Sequence, residues 1–183
     1  MLVKDIIKTA CEFLDNRDLA KKLSVSDDLS ENENEIVEEL VDCFNLINEE
    51  ISTEILPIVK IDRVKSSNLK IAFSQLSSYP VSILAVKDCY GRDIKHRVLK
   101  DCLIAFANEV DIWYTACPEK LTFGQELSST LPERVFAYGV AREYYIKKAL
   151  YKDAEVWEVR FKNSIEMLAT KKSGRTIARR RWL

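Results

Sequence analysis

The apolar residues of this chain change period twice, and that change decides its class of fold. Up to Ile55 they recur every three to four residues. Between Ile58 and Pro118 a period of two takes over, and from Val135 to Leu168 the helical period returns. Helices, then strands, then helices, with no strand-to-strand crossover helices, predict an α+β fold. The expected organisation is a single α+β domain over 1–170, followed by an extended basic C-terminal tail over 171–183. Within the domain, 1–57 is helical, 58–118 is an inserted antiparallel β-sheet, and 130–170 is a helical hairpin; the two helical parts form a bundle.

In the first part, Leu2, Val3, Ile6, Ile7, Ala10, Cys11 and Leu14 predict one helix. Asn16-Arg17-Asp18 interrupts it before a short helical piece ending near Leu23, and Ser24 to Leu29 reads as a loop. Ser30 and Glu33 have the S-x-x-E spacing of a capping box. The long helix they open carries the stripe Ile36, Leu40, Phe44, Ile47, Ile51, Ile55. Its polar face includes the pairs Glu38/Asp42 and Glu49/Glu50, helically spaced as on a solvated surface. Pro57 stops it, because the residue before a proline is pushed out of the α region.

In the middle part, Leu69, Ile71 and Phe73 alternate with polar or small residues, and Val81, Ile83 and Ala85 do so less cleanly. Cys89-Tyr90-Gly91-Arg92-Asp93 reads as a turn and Ile94–Leu99 as an extended piece. Cys102–Phe106 and Val110–Tyr114 flank a short Ala107-Asn108-Glu109 connection, which predicts a hairpin within a sheet of three to five strands.

The last part opens on Thr130-Leu131-Pro132-Glu133, a T-x-x-E capping box with proline in the first turn. Val135, Phe136, Val140, Ala141, Tyr144, Tyr145 and Ala149 keep to one face. After Tyr151-Lys152-Asp153 the pattern restarts with Ala154, Trp157, Phe161, Ile165 and Leu168, and it ends beyond Thr170.

Charge is polarised along the chain. The tail from Lys171 to Leu183 holds six Lys or Arg and no acid, so of the formal −1 the first 170 residues carry −7. An acidic body with a basic end is not a general nucleic-acid binder over its whole surface. It is suited to pairing head-to-tail with copies of itself or with a partner. No apolar run reaches the length of a membrane span, and Asp5 interrupts the stretch where a signal peptide needs a continuous apolar core. The expected site of synthesis is therefore a cytosol, with no membrane partner.

Chemistry is sparse. No glycine-rich phosphate loop, nucleophile elbow or zinc-protease motif is present, and the four glycines are isolated. Five scattered cysteines without a C-x-x-C read as free thiols, with Cys11, Cys43 and Cys102 on apolar faces. The single histidine, His96, has Asp93 three residues upstream but sits on a solvent-facing strand. Trp113-Tyr114 has the residue types of a base-stacking pair, although one of two adjacent strand residues points into the core. No catalytic, cofactor-binding or metal site is expected, and the chain is not read as an enzyme.

Several core-spacing patterns together carry a resemblance. A strand closes on Ile112-Trp113-Tyr114-Thr115-Ala116-Cys117-Pro118, and Leu131-Pro132-Glu133 opens a helix. The segment Val140-Ala141-Arg142-Glu143-Tyr144-Tyr145 follows, then a break near Tyr151-Lys152. The end is Ala154-x-x-Trp157-x-x-x-Phe161-x-x-x-Ile165 and an arginine-rich, Trp-bearing tail. Over residues 110–183 this resembles the head–tail connector (adaptor, or head-completion) proteins of tailed bacteriophages. Over 1–57 only the architecture is similar, and the segment from Asn68 to Lys100 is longer and more polar than the family pattern. The resemblance implies a ring, commonly of twelve copies, seated under the portal protein in the virion neck and assembled in the host cytoplasm. Such a ring extends the DNA channel and presents a platform to a downstream tail or neck protein, and DNA passes without sequence-specific binding. Arg175, Ile177, Arg179, Arg180, Arg181, Trp182 and Leu183 would then form the segment that docks on the portal or a neighbouring copy, since Trp and Arg are favoured interface anchors. The alternatives are an accessory protein whose basic tail contacts nucleic acid, and another structural subunit such as a tail terminator.

Overall fold

Val3, Ile6, Ile7, Ala10 and Cys11 are buried along one side of α1 (Val3–Phe13), as their spacing requires. The computed structural model describes residues 1–25, 29–66 and 69–172, and it has an α+β fold. The chain divides into two compact units. One joins Met1–Ile47 to the segment from Leu121 onward, the other is Asn48–Lys120; among the described residues the first is helical and the second carries every strand.

In the helical unit α1 is followed by α2 (Arg17–Val25), which buries Leu19, Ala20 and Leu23. The break between them is a left-handed Asp15 at φ 58°. Then comes α3 (Glu31–Glu50), whose Leu40, Phe44 and Ile47 are fully buried. At its start the Glu33 carboxylate accepts from the Ser30 backbone N–H at 2.9 Å, the reciprocal half of a capping box. The Ser30 hydroxyl donates to the same carboxylate at 2.8 Å rather than accepting from the backbone. The Lys22 ammonium, with these Ser30 donors, holds Glu33 down at about 2. α3 passes into a π-helical turn, Ile51–Ile55, before Pro57 ends it.

The second helical pair is α4 (Glu133–Lys147) and α5 (Tyr151–Lys172). Where the sequence places a box at Thr130–Glu133, Pro132 is the N-cap and makes no side-chain capping bond, and the Glu133 carboxylate accepts from the Thr9 hydroxyl of α1. The break comes at 148–150, earlier than the sequence pattern suggested, so Ala149 belongs to the turn and not to the α4 stripe. The Leu150 N–H bonds to the Tyr145 carbonyl and the Ala149 N–H to that of Ile146, both at 2.9 Å, with Ala149 left-handed at φ 58°. This is a Schellman ending. Phe13 of α1, Tyr138 of α4 and Trp157 of α5 form a three-ring cluster with centroids 5.0–5.8 Å apart.

Among its described residues the strand unit holds six strands, more than expected, in two antiparallel sheets. β1 (Ile58–Lys65), β6 (Glu109–Ala116) and β3 (Pro80–Lys87) lie in the order β1-β6-β3; β2 (Lys70–Ala72), β5 (Cys102–Ala105) and β4 (His96–Val98) in the order β2-β5-β4. The expected hairpin between Cys102–Phe106 and Val110–Tyr114 is therefore not formed: β5 and β6 are consecutive but belong to different sheets. The linker between them is held by Ser66, whose N–H donates to the Asn108 carbonyl at 2.8 Å and whose hydroxyl donates to that of Ala107. One core, including Ile71, Leu103, Ala105, Val110, Ile112 and Tyr114, is shared by both sheets. The weak alternation of β3 has a cause: its register against β6 shifts between Pro80 and Ser82 and again between Ile83 and Ala85. The turn at Cys89–Asp93 forms as read. Asp88 accepts from the N–H groups of Tyr90 and Arg92 at 2.9 Å, and Gly91 supplies the positive φ of 79°.

A polar cluster sits at the edge of that core. The Tyr114 hydroxyl donates to Asp62 at 2.7 Å and accepts from the Ser78 N–H at 3.2 Å, while the Ser77 N–H donates to Asp62 at 2.6 Å. Burial pushes the Asp62 carboxyl up, but the bonds from the Ser77 N–H, the Tyr114 hydroxyl and the Ser77 hydroxyl outweigh it and hold the group below its ordinary value. A depressed folded value means stability that is present above the unfolded carboxylate range, about 3.9, and lost as pH falls through the folded value. Tyr114→Phe is expected to cost about 2 kcal/mol in urea unfolding, because it takes the acceptor from the Ser78 N–H and one of three bonds from the Asp62 carboxylate. Asp62→Asn should flatten the acid limb of the stability curve; an unchanged limb would remove Asp62 from its cause.

Candidate interaction surfaces

The residues assigned to docking from the sequence, Arg175, Ile177, Arg179, Arg180, Arg181, Trp182 and Leu183, lie outside the described residues. What the structure does describe is the helical hairpin that leads to them. Val135, Gly139, Arg142 and Ile146 fall on one line of α4 at helical spacing. The line begins in the core and emerges at the α4–α5 turn. Arg142 is the informative member. It is only 8% exposed, a buried charge that the sequence reading passed over. The signal was present: three residues after Gly139 and seven after Val135, it occupies a core-facing position.

Two carboxylates offset that charge. Arg142 pairs with Glu143 and with Glu158 of α5, both at 2.7 Å, and its guanidinium lies 5.0 Å from the Phe161 ring centre. Glu158 also takes Lys162 at 2.6 Å. Burial raises the Glu158 carboxyl, and the bonds from Lys162 and Arg142 more than reverse it, leaving the group below its ordinary value. Beside this ion-pair group the hairpin opens into a cleft of about 350 Å³ lined by Ile146, Tyr151, Ala154, Glu143, Glu155 and Glu158 as well as Arg142. The cleft sets three carboxylates against one guanidinium.

The strand unit offers a different surface. Val59 and Ile61 of β1 point outward with Trp113 of β6, which stands between Ile61 on one side and Ala85 on the other. Val81 and Leu84, released by the two register shifts of β3, are half exposed as well. The Lys87 ammonium lies 5.1 Å from the Trp113 ring centre. Of the Trp113-Tyr114 pair, then, Tyr114 is the core member and Trp113 faces outward, as adjacent strand residues must.

The remaining chemical groups are dispersed. Cys11 and Cys43 are buried, which pushes their thiols up to about 12 and about 11. Cys102 is half-buried, and Cys89 and Cys117 are exposed. His96 is exposed on β4 with Nδ1 3.1 Å from the Ile94 carbonyl, and it is not turned onto Asp93. Among the described residues no group of three or more His, Cys, Asp or Glu converges as metal ligands, and no helix is long and apolar enough to cross a membrane. No protein-family model matches this sequence, and no curated protein matches it.

Proposed function

We propose that the protein is a structural subunit of a tailed-bacteriophage neck, a head–tail connector whose copies form a ring beneath the portal protein. The observation that carries this reading is the separation of charge on the α+β frame. A body whose first 170 residues carry a net −7 ends in a hairpin, α4–α5, whose last two residues, Lys171 and Lys172, open a segment with six Lys or Arg and no acid. Opposite charges at two ends of one chain suit heterologous contacts, which close into rings when the rotation permits. An acidic body suits a channel through which DNA slides, because a basic lining would hold phosphates by counterion release. The outward Val59, Ile61 and Trp113 surface suits a protein that works by contact, since exposed apolar patches mark interaction sites. The role is one of position and attachment, not of catalysis.

Mixing the purified chain with portal should give a complex whose mass by light scattering equals portal plus a ring, seen as a seated disc in negative-stain images. A truncation ending at Thr170 should stay folded and no longer attach. Failure of the full chain to associate with portal overturns the reading. Salt-dependent binding to DNA that disappears with the tail would put the nucleic-acid accessory role in its place.

A further inference from the structure

The cleft between α4 and α5 has the inverse chemistry of the tail. Its walls are apolar, from Ile146, Tyr151 and Ala154, and its one cation, Arg142, is already spent on Glu143 and Glu158. Glu155 stands exposed at the rim and makes no ion pair among the described residues. Residues 173–183, the part of the chain outside the described structure on this side, read Ser-Gly-Arg-Thr-Ile-Ala-Arg-Arg-Arg-Trp-Leu, with four arginines and no acid. Trp and Arg are the side chains that most often anchor an interface, and Arg pairs with carboxylates through a planar fork. A cleft of about 350 Å³ is at the scale that accepts one aromatic anchor with its neighbours. Two other clefts among the described residues do not match. The one between β3 and β4, lined by Phe73, Tyr79, Val98, Leu99 and Lys100 among others, has a cation and no carboxylate. The one along α2 sets Arg17 and Lys21 against a single Glu12.

We infer that the 173–183 segment of one copy docks in the α4–α5 cleft of a second copy, with Trp182 against Ile146 and Tyr151 and the arginines on Glu155 and its neighbouring carboxylates. The cleft lies at the N-terminal end of α5 and the tail leaves from its C-terminal end, roughly 25 Å away along the helix axis. Docking within one chain needs a full reversal after Lys172 and a run back along α5. A neighbour receives the segment without that reversal, and the ring reading on which this inference rests supplies the neighbour.

The test uses the full chain with a photo-crosslinking benzoylphenylalanine at Trp182, mixed with an equal amount of ¹⁵N-labelled unmodified chain. Irradiation and peptide mapping should give crosslinks between light tail and heavy peptides spanning 142–158. Glu155→Lys should lower their yield at least about fivefold, the scale of reversing one partly exposed charge pair. Tyr151→Ser, which thins the apolar wall, should lower it as well. Crosslinks only within the light chain, or crosslinks mapping elsewhere and indifferent to Glu155→Lys, overturn the inference. Repeating the experiment with portal present separates the two readings. A complex in which Trp182 crosslinks portal instead of the cleft removes this inference and keeps the connector; crosslinking to the cleft without any portal complex keeps the inference and removes the connector.

Discussion

Gly139→Val is expected to cost the helical unit about 3 kcal/mol, at the upper end for overpacking a filled core. A Cβ built at Gly139 would lie 2.7 Å from Ile47 Cγ2 and 2.9 Å from both Cδ1 and Cγ1. Those contacts are closer than two carbons tolerate, and Ile47 is fully buried, so it has little room to yield. Two of the three atoms are attached directly to the β-carbon, and no single rotation about χ1 clears both. The glycine is therefore a point where α4 approaches α3, and not a point of backbone freedom. Gly139→Ala sets two effects against each other. Alanine gains about 1 kcal/mol of helix propensity over glycine and loses more than that to the clash, leaving a smaller net loss than valine.

The discriminating measurement is a double-mutant cycle followed by far-ultraviolet circular dichroism in urea. Ile47→Ala alone should destabilise by about 3 kcal/mol through its cavity. In that background the added methyl of Gly139→Ala enters the vacated space, so the pair should be more stable than the sum of its parts by at least about 1 kcal/mol. Additive costs would mean that α3 and α4 do not approach at this point.

Where the sequence was readable, it was because one face was buried and one was wet. The stripes Leu40, Phe44, Ile47 on α3 and Val135, Phe136, Val140 on α4 kept their helical period for that reason. β1 shows the opposite case. Its Val59 and Ile61 face outward, while Lys60 and Asp62 share a side with Val64 and are engaged there by Ser78, Ser77 and Tyr114. The alternation of β1 runs inverted, so a rule that places apolar residues inside picks the wrong face. The mispaired β5 and β6 fail differently. A short connection between two strands is compatible with a hairpin and with a step from one sheet to another. The choice depends on Ser66, distant in sequence, which holds the linker. At the candidate surface, the tail's composition was legible from local sequence and the acidic cleft was not. The cleft exists only when Glu143 and Glu158, on separate helices, are brought to one guanidinium.

Removing that guanidinium is expected to have the other large effect. Arg142→Met keeps much of the side-chain volume and the contact with Phe161, and it leaves Glu143 and Glu158 across the α4–α5 interface without the cation between them. Breaking a buried pair from one side typically costs about 3 kcal/mol, because the remaining charges keep their desolvation and lose their partner. The sign of the pH dependence identifies the cause. In the wild type Glu158 titrates below its ordinary value, so its contribution is present above the unfolded carboxylate range and is lost as pH falls through the folded value. In Arg142→Met two facing carboxylates repel while both are ionised, and protonation relieves them. The stability gap between the two proteins should therefore be widest near neutral pH and narrow steadily as the solution is acidified. Adding Glu158→Gln to Arg142→Met should recover a large part of the loss, since the buried polar pair is then replaced rather than broken. A gap that stays constant with pH, or a double variant no better than the single, would assign Arg142 to packing alone. The α4–α5 cleft would then lose the ion-pair frame on which its shape depends.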